Sequence, residues 1–512
     1  MKAIIKNSLF QLLIVYTILV TLANFSFISR YIIHFEIFAL ILAIFAIFTL
    51  KENDNFEIKQ YFILLPLFLI IITRAIPFLF SKIPLGYDVG IYKYAFDIYQ
   101  SSLPNIPYQT TQWFTNTFPL GFAAVIDTLT IAGFNTSLLL TIGLIFLEIL
   151  LGLALYITTK KLFNKEIAFF SLLLFSVSIA QFKTFSYFYY KNIIALIFLL
   201  IAFYLLKSKK YIPFVLVSVM IGSIHQPTFL LFALIAVIYS LINYKELKYT
   251  IPSGIAIILL TLPFYIDRLK ELILDNIQPI ITANIGAGTF ITFLQYQFLS
   301  IAYLPFAALG FFYLIKKKDY TFALIWFIIN FIIVFFQLIF FNRFIIHLDI
   351  IFIITAGIGI FYLIKDNKKL GYTIAIILLL SATFLTLKDA AASKPLITEE
   401  NLKLIQSLQN TEQNSYVMAT SSSLSPWVLG YSGRETIAPG LFDLNKWDLE
   451  QWKRFWSANN YNDIRDLMLD YSNLKPMYIV AYKGQLNLNK FNDKCFSLYD
   501  KTNNLFIYKL EC

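Results

Sequence analysis

The chain has 512 residues, of which 59% are hydrophobic, 18% aromatic and only 14% charged. That balance excludes a soluble globular surface. The net charge of +11 does not indicate nucleic acid as a partner, because the lysines sit in short breaks between apolar runs, without a basic stripe or aromatic interleaving.

Apolar runs of roughly 15–22 residues recur from Leu9 to Leu387, near the length that carries a helix across about 30 Å of hydrocarbon. They predict a polytopic α-helical membrane protein of the cell membrane. The first run, Leu9 to Ser26, is read as a retained helix: no small-residue cleavage site follows it, and another span comes almost at once. The lysine-rich breaks are Lys51/Lys59, Lys160/Lys161/Lys165, Lys207/Lys209/Lys210, Lys245/Lys248, Lys316/Lys317/Lys318 and Lys365/Lys368/Lys369. All are expected to face the cytoplasm, since positive charge resists export.

That requirement removes one apparent span. Counting Phe118 to Phe134 ("FPLGFAAVIDTLTIAGF") as a crossing would place the later lysine-rich loops outside. It is read instead as a helix in the outer interface, starting at Pro119, with Asp127 on its surface. The predicted spans are 9–27, 31–50, 61–80, 138–158, 166–182, 192–206, 212–224, 228–243, 250–266, 297–315, 320–341, 344–364 and 370–387, about thirteen crossings. The amino terminus is then cytoplasmic and the carboxyl terminus extracytoplasmic.

The expected division is a membrane domain, 1–387, which includes an outer loop over 81–137, and a soluble extracytoplasmic domain over 388–512. In the latter, "TEENLKLIQSLQ" has a threonine cap and apolar residues at helical spacing, while "SYVMAT", "MYIVAY" and "LFIYKLE" are strand-like, which predicts α/β. Cys495 and Cys512 both lie there, as a bridge or as two thiols. With three histidines in the chain and no ligand spacing, a zinc site is not expected. There is no Walker loop, dinucleotide glycine pattern, Ser-His-Asp ordering or obvious internal repeat.

The outer segments carry the polar chemistry: 81–137, the turn 183–191, the His225 turn, 267–296 and the Asn342–Arg343 junction. In "IPLGYDVGIYKY", Asp88 is either a solvated loop charge or a carboxylate held at the membrane surface. Gly86 and Gly90 permit tight turns, and Tyr87, Tyr92 and Tyr94, with Trp113 of "QWF", offer hydroxyls and ring faces suited to sugars or to interfacial packing. Cations at the outer span ends are Lys183 and Lys191 in "KTFSYFYYK" and Arg343 in "NRFIIHLD", with His225 in "IHQP" beside them. Arg343 and His347, four apart, share one helix face. Arg74, Glu148 and Asp349 fall within spans, where ionisable groups face a cavity or one another.

This arrangement resembles the C-type (GT-C) membrane glycosyltransferases. The likeness rests on the acid of "GYDVGIYKY" opening the first large outer loop, on "FPLGF" and "ALYITTKKLF", and on "GYSGRETIAPGLFDLNKW" in the tail. It implies a GT-C-like bundle and transfer of a sugar from a polyprenyl-phosphate donor to an external glycan, lipid or protein acceptor, with inversion. Such transfer needs a base for the acceptor proton and cations for the leaving phosphate. Asp88 is the expected general base. Arg343, Lys191, Lys183, His225 and Arg74 are the expected phosphate ligands. Tyr87, Tyr92, Tyr94 and Trp113 are the expected sugar or acceptor contacts, with Asp97 and His347 in support. No Asp-x-Asp pair stands at Asp88, so no cofactor and no metal are expected, a divalent cation shared with Asp97 being the alternative. A flippase of lipid-linked sugar and a surface polysaccharide polymerase or ligase are the other readings.

Overall fold

The structure is a computed structural model that describes every residue except 1, 24, 51–55, 103–111, 266–290, 318–321, 339, 340, 440, 441, 443, 472 and 485. It divides into two compact units, one formed by Met1–Phe80 and Leu144–Ser393, the other by Ser81–Gly143 and Lys394–Cys512.

The first unit is a helical bundle. Among the described residues of the whole chain, seven helices are long and apolar enough to cross a membrane, and nine are if each of two bent pairs counts as one span. An apolar helix lies at each of the thirteen expected segments, but those at Lys6–Leu22, Tyr211–Ile224, Gln226–Ile242 and Phe322–Phe335 are too short to meet that measure. Thirteen crossings are therefore not confirmed. The outer stretch expected at 267–296 lies outside the described residues up to 290.

Helix Ile345–Asp366 is the centre of the bundle, with 94% of its apolar window buried. Glycines let its neighbour Leu304–Lys316 approach to backbone contact: a Cβ on Gly310 would lie 1.9 Å from the Thr355 carbonyl oxygen, and one on Gly359 would lie 2.1 Å from that of Phe306. Small residues serve this purpose in membranes, where packing replaces the hydrophobic drive. Two breaks shape the bundle. Lys165–Val177 and Ile179–Ser186 meet at 53° through Ser178, whose hydroxyl caps the second helix by accepting from the Gln181 N–H. Phe293–Ser300 and Leu304–Lys316 meet at 86°, where Pro305 enters the first turn of the second helix.

The second unit joins the 81–143 segment to the tail. The outer loop thus packs with the tail, where the sequence grouped it with the bundle; the reason is a glycine contact described below. Helix Leu120–Ile131 has 12 residues, roughly 18 Å of rise, less than the hydrocarbon thickness. Pro119 stands at its N-cap as expected. Asp127 is buried rather than on a surface, and burial pushes its carboxyl above the usual range.

The tail is α/β. Its five strands are β1 Tyr416–Ala419, β2 Glu435–Ile437, β3 Met477–Tyr482, β4 Phe496–Lys501 and β5 Leu505–Leu510, in the order β2-β1-β3-β5-β4. β1 pairs in parallel with β2 and β3, while β5 is antiparallel to β3 and β4. The three strand-like runs of the sequence are β1, β3 and β5; β2 and β4 were not foreseen, β2 having three residues and β4 exposing five of its six. Thr398 caps helix Glu399–Ser407. Trp447, Trp452, Phe455, Tyr471 and Phe491 form the core beside the sheet. Cys495 and Cys512 are bridged, joining the residue before β4 to the chain end after β5.

Candidate active site

In the second unit, Gly86 has φ +108°, a conformation that glycine adopts without strain, and it turns the chain into Asp88. Asp88 is the N-cap residue of helix Val89–Ser101; its carbonyl oxygen accepts from the Tyr92 N–H at 3.0 Å, but its carboxylate makes no cap bond. The side chain is half-buried. On one side of Asp88, the Tyr87 hydroxyl donates to the Ser422 carbonyl. On the other, a Cβ on Gly90 would lie 1.7 Å from the Pro426 carbonyl oxygen, so this glycine serves helix contact rather than a turn. Lys93 Nζ lies 5.0 Å from the Tyr431 ring. The "GYDVGIYKY" segment is held against helix Ser425–Tyr431, which leads into "GYSGRETIAPGLFDLNKW".

The aromatic residues divide. Tyr92 is 5% exposed and packs edge-on to Phe118 and Phe122, so its ring belongs to the core rather than to a ligand surface. Tyr94 stacks on Trp113 with ring centres 6.1 Å apart, and both remain half-exposed. Asp97 does not support Asp88. It pairs with Lys93, accepts from the Thr136 hydroxyl at 2.7 Å, and stands nine residues along the helix, roughly 13 Å from Asp88 in rise.

In the bundle, His225 occupies the turn between Tyr211–Ile224 and Gln226–Ile242. Its Nδ1 accepts from the Thr228 backbone N–H at 3.4 Å and lies 2.7 Å from Thr228 Oγ1. Thr228 Oγ1 lies 2.8 Å from His347 Nε2. Burial first, then the charges of Lys191, His347 and Arg343, hold the His225 imidazole well below its ordinary pKa. A neutral ring that accepts at Nδ1 carries its proton on Nε2. The Thr228 hydroxyl thus stands between the two rings, within hydrogen-bond distance of His225 Nδ1 and of His347 Nε2. His225 Nε2–H is left as a donor in a neighbourhood made positive by Lys191 and Arg343. Lys191 sits in the first turn of Tyr190–Lys207, and Arg343 in the short helix Phe341–Phe344 before Ile345–Asp366.

Two expected phosphate ligands are placed otherwise. Arg74 is wholly buried; Nε and Nη2 reach Glu148 at 3.3 and 3.1 Å, while Nη1 donates to Thr73 and to the Ser176 carbonyl, both at 2.8 Å. A charge at that depth needs a counter-charge, and Glu148 supplies it. Lys183 pairs with Asp389 at 2.8 Å. The charges of Lys191 and Arg343 act on His225, which Thr228 joins to His347, whereas Arg74 and Lys183 are engaged with Glu148 and Asp389.

The sequence reading missed Thr228 and the bonds around Asp349. That carboxylate is buried and accepts from Ser178 at 3.0 Å, from Gln181 at 2.7 Å and from the Tyr303 hydroxyl. The signal for Thr228 was its place three residues after His225 at a helix start, where a cap meets the third backbone N–H. Among the described residues, no three His, Cys, Asp or Glu side chains form a metal-binding group.

No family model and no curated protein matches the sequence. Solved structures do match. The oligosaccharyltransferase of Archaeoglobus fulgidus in its apo form aligns with TM-score 0.59 and 13% identity over 83% of this chain and 70% of its own. The same organism's AglB, in complex with an inhibitory peptide and a dolichol-phosphate, gives 0.58 and 12% over the same shares. ArnT from Cupriavidus metallidurans bound to undecaprenyl phosphate gives 0.58 and 11% over 88% of this chain and 97% of its own. The fold is of the GT-C type. This GT-C fold is a polytopic membrane bundle with a C-terminal α/β domain, in agreement with the sequence reading.

Proposed function

We propose that the chain is a membrane glycosyltransferase that moves a sugar from a polyprenyl-phosphate donor to an extracytoplasmic acceptor. The observation that carries this reading is a GT-C-type bundle in which Thr228 joins His225 to His347 and the charges of Lys191 and Arg343 act on His225, a set suited to a lipid phosphate. The solved neighbours that hold dolichol-phosphate or undecaprenyl phosphate support the donor class.

In the proposed reaction, the acceptor's nucleophilic oxygen or nitrogen attacks the anomeric carbon as the bond from that carbon to the phosphate oxygen breaks. The electron pair leaves with the polyprenyl phosphate, and inversion follows from a single displacement. Asp88 takes the acceptor proton from its half-buried place at the start of helix Val89–Ser101. Arg343, Lys191 and the neutral His225 stabilise the departing phosphate. The half-exposed faces of Tyr94 and Trp113 contact the sugar or the acceptor. The proposed orientation has the amino terminus cytoplasmic and the C-terminal domain, 388–512, outside.

No metal takes part in this proposal, because no Asp-x-Asp pair stands at Asp88 and Asp97, farther along the helix, is paired with Lys93. Transfer should then persist in EDTA, and its loss with recovery on adding a divalent ion would overturn that part. The test of the function is transfer by the purified protein from a panel of polyprenyl-phosphate sugars, with two variants. Asp88→Asn should lower turnover by about 10²–10⁴-fold with donor binding kept. Arg343→Ala should weaken donor binding by about 1.5–3 kcal/mol. Parental turnover in Asp88→Asn would remove Asp88 as the base.

A further inference from the structure

Lys59, Lys160 and Lys165 line one cavity of about 60 Å³ together with Gln60, Tyr156 and Phe169. We propose that this cavity binds the phosphodiester headgroup of an anionic membrane phospholipid, at a site separate from the groups assigned to transfer.

The lysines come from three places in the bundle. Lys59 precedes the helical stretch Gln60–Phe80, Lys160 ends helix Leu144–Leu162, and Lys165 begins helix Lys165–Val177. Lysines that only mark topology extend separately into water, whereas these converge on one concavity. Two helix starts add backbone N–H groups and positive dipole ends to the same neighbourhood. Asn164 takes up one such N–H, that of Ile167. The Tyr156 hydroxyl and the Gln60 amide supply neutral donors.

Charge and surroundings select the ligand. Lys165 forms an ion pair with Glu57 and stands 3.9 Å from Glu166, so three lysines face two carboxylates. The single net positive charge matches a phosphodiester monoanion better than a phosphate dianion. Tyr61, Phe62, Leu64 and Leu65, which follow the cavity's Gln60, are 59%, 46%, 65% and 48% exposed, an apolar surface on which acyl chains can lie. Basic pockets between helices at a lysine-rich membrane face are suited to anionic headgroups.

The experiment uses the full chain in nanodiscs of phosphatidylcholine with increasing phosphatidylglycerol, and counts retained phosphatidylglycerol by native mass spectrometry. The double variant Lys59→Gln/Lys160→Gln alters two exposed side chains and should fold as the parent. It should bind phosphatidylglycerol about 25-fold more weakly, some fivefold per lysine, the size of one lysine's attraction to an anionic surface. Glu57→Gln, which releases Lys165, should tighten binding by a similar single factor. Lys207→Gln/Lys210→Gln, in another lysine-rich break, should leave it unchanged. Soluble glycerophosphoglycerol, which has the headgroup but no chains, should not displace the lipid at equal concentration. Equal retention by the parent and the Lys59/Lys160 variant would overturn the site. An equal loss in the Lys207/Lys210 variant would do so as well, by showing that only overall charge matters. Displacement by the soluble headgroup would overturn the lipid as the source.

Discussion

Gly90 and Gly430 hold two helices at backbone contact: a Cβ added to Gly430 would lie 2.2 Å from the Gly90 carbonyl oxygen. The obstacle is main chain on both sides, so no rotamer change relieves it and the helices must part. Helix Val89–Ser101 starts at Asp88, so parting them moves the carboxylate. Gly90→Ala and Gly430→Ala should each destabilise the protein by about 1–3 kcal/mol, the usual cost of overpacking, and lower turnover more than donor binding. Gly254→Ala is the control, because nothing lies within 4 Å of its added Cβ and its helix Leu247–Thr261 should gain about 0.5–1 kcal/mol. Thermal unfolding of the three variants tests this, and a Gly430→Ala protein as stable as the parent would refute the contact.

The Arg74–Glu148 pair allows a test that separates structure from donor binding. Arg74→Ala leaves Glu148 buried without its cation, and Glu148 Oε1 already lacks a hydrogen-bond partner. The expected cost is about 3–5 kcal/mol. Arg74→Met/Glu148→Leu removes both charges at similar volume and should recover most of that loss. The double variant should also bind the polyprenyl-phosphate donor as the parent does. Restored stability with lost donor binding would return Arg74 to the phosphate ligands.

The helices were legible because hydrophobic run length and lysine placement are properties of the chain itself. Whether a helix such as Tyr211–Ile224, with 14 residues, crosses fully depends on packing that no run length records. Asp88 was legible as a lone acid between glycines in an aromatic segment. The partner that holds it, Ser422 to Gly430, was not, because that contact joins chain segments far apart in sequence. Tyr92 shows the opposite failure: an interfacial tyrosine and a core tyrosine look alike until Phe118 and Phe122 are seen against the ring. Arg74 and Glu148 were both visible, but their pairing rests on how two helices face each other.

Lys490 gives the tail domain a distinctive pH dependence. The side chain is wholly buried, its Nζ donates to the Phe455 carbonyl and lies 4.8 Å from the Phe455 ring, and burial lowers its pKa to about 8 against the opposing charge of Asp463. Between that value and the unfolded pKa of about 10.4, the unfolded chain holds a proton that the folded chain has released. Stability from this group therefore rises as pH increases from about 8 to about 10.4, and is lowest below pH 8. Lys490→Met should remove the rise. Unfolding of parent and variant, followed by tryptophan fluorescence at several pH values, should show the variant gaining relative stability, by roughly 1–3 kcal/mol, as pH falls from 10 to 7. A difference that stays constant with pH would exclude titration of Lys490.

Thr228 is the group that sets the two histidines in register, and its substitution should separate positioning from bulk packing. Valine keeps the shape but removes the oxygen that lies 2.7 Å from His225 Nδ1 and 2.8 Å from His347 Nε2. Two buried ring nitrogens then lose a partner, at about 1–3 kcal/mol each. The His225 ring keeps only the longer bond from the Thr228 backbone N–H, so Nε2–H is no longer held in one direction. Serine restores the hydroxyl and removes only a methyl group. Donor binding should therefore fall about tenfold in Thr228→Val and return to within about twofold of the parent in Thr228→Ser, even though serine leaves the larger void. Turnover at saturating donor should change less than donor affinity in both variants. The measurement is donor titration of the folded proteins followed by single-turnover transfer. If valine binds donor as well as threonine does, the hydroxyl is a packing detail and His225 does not depend on it; if serine fails along with valine, the hydroxyl alone does not set the ring and the methyl contact is needed as well.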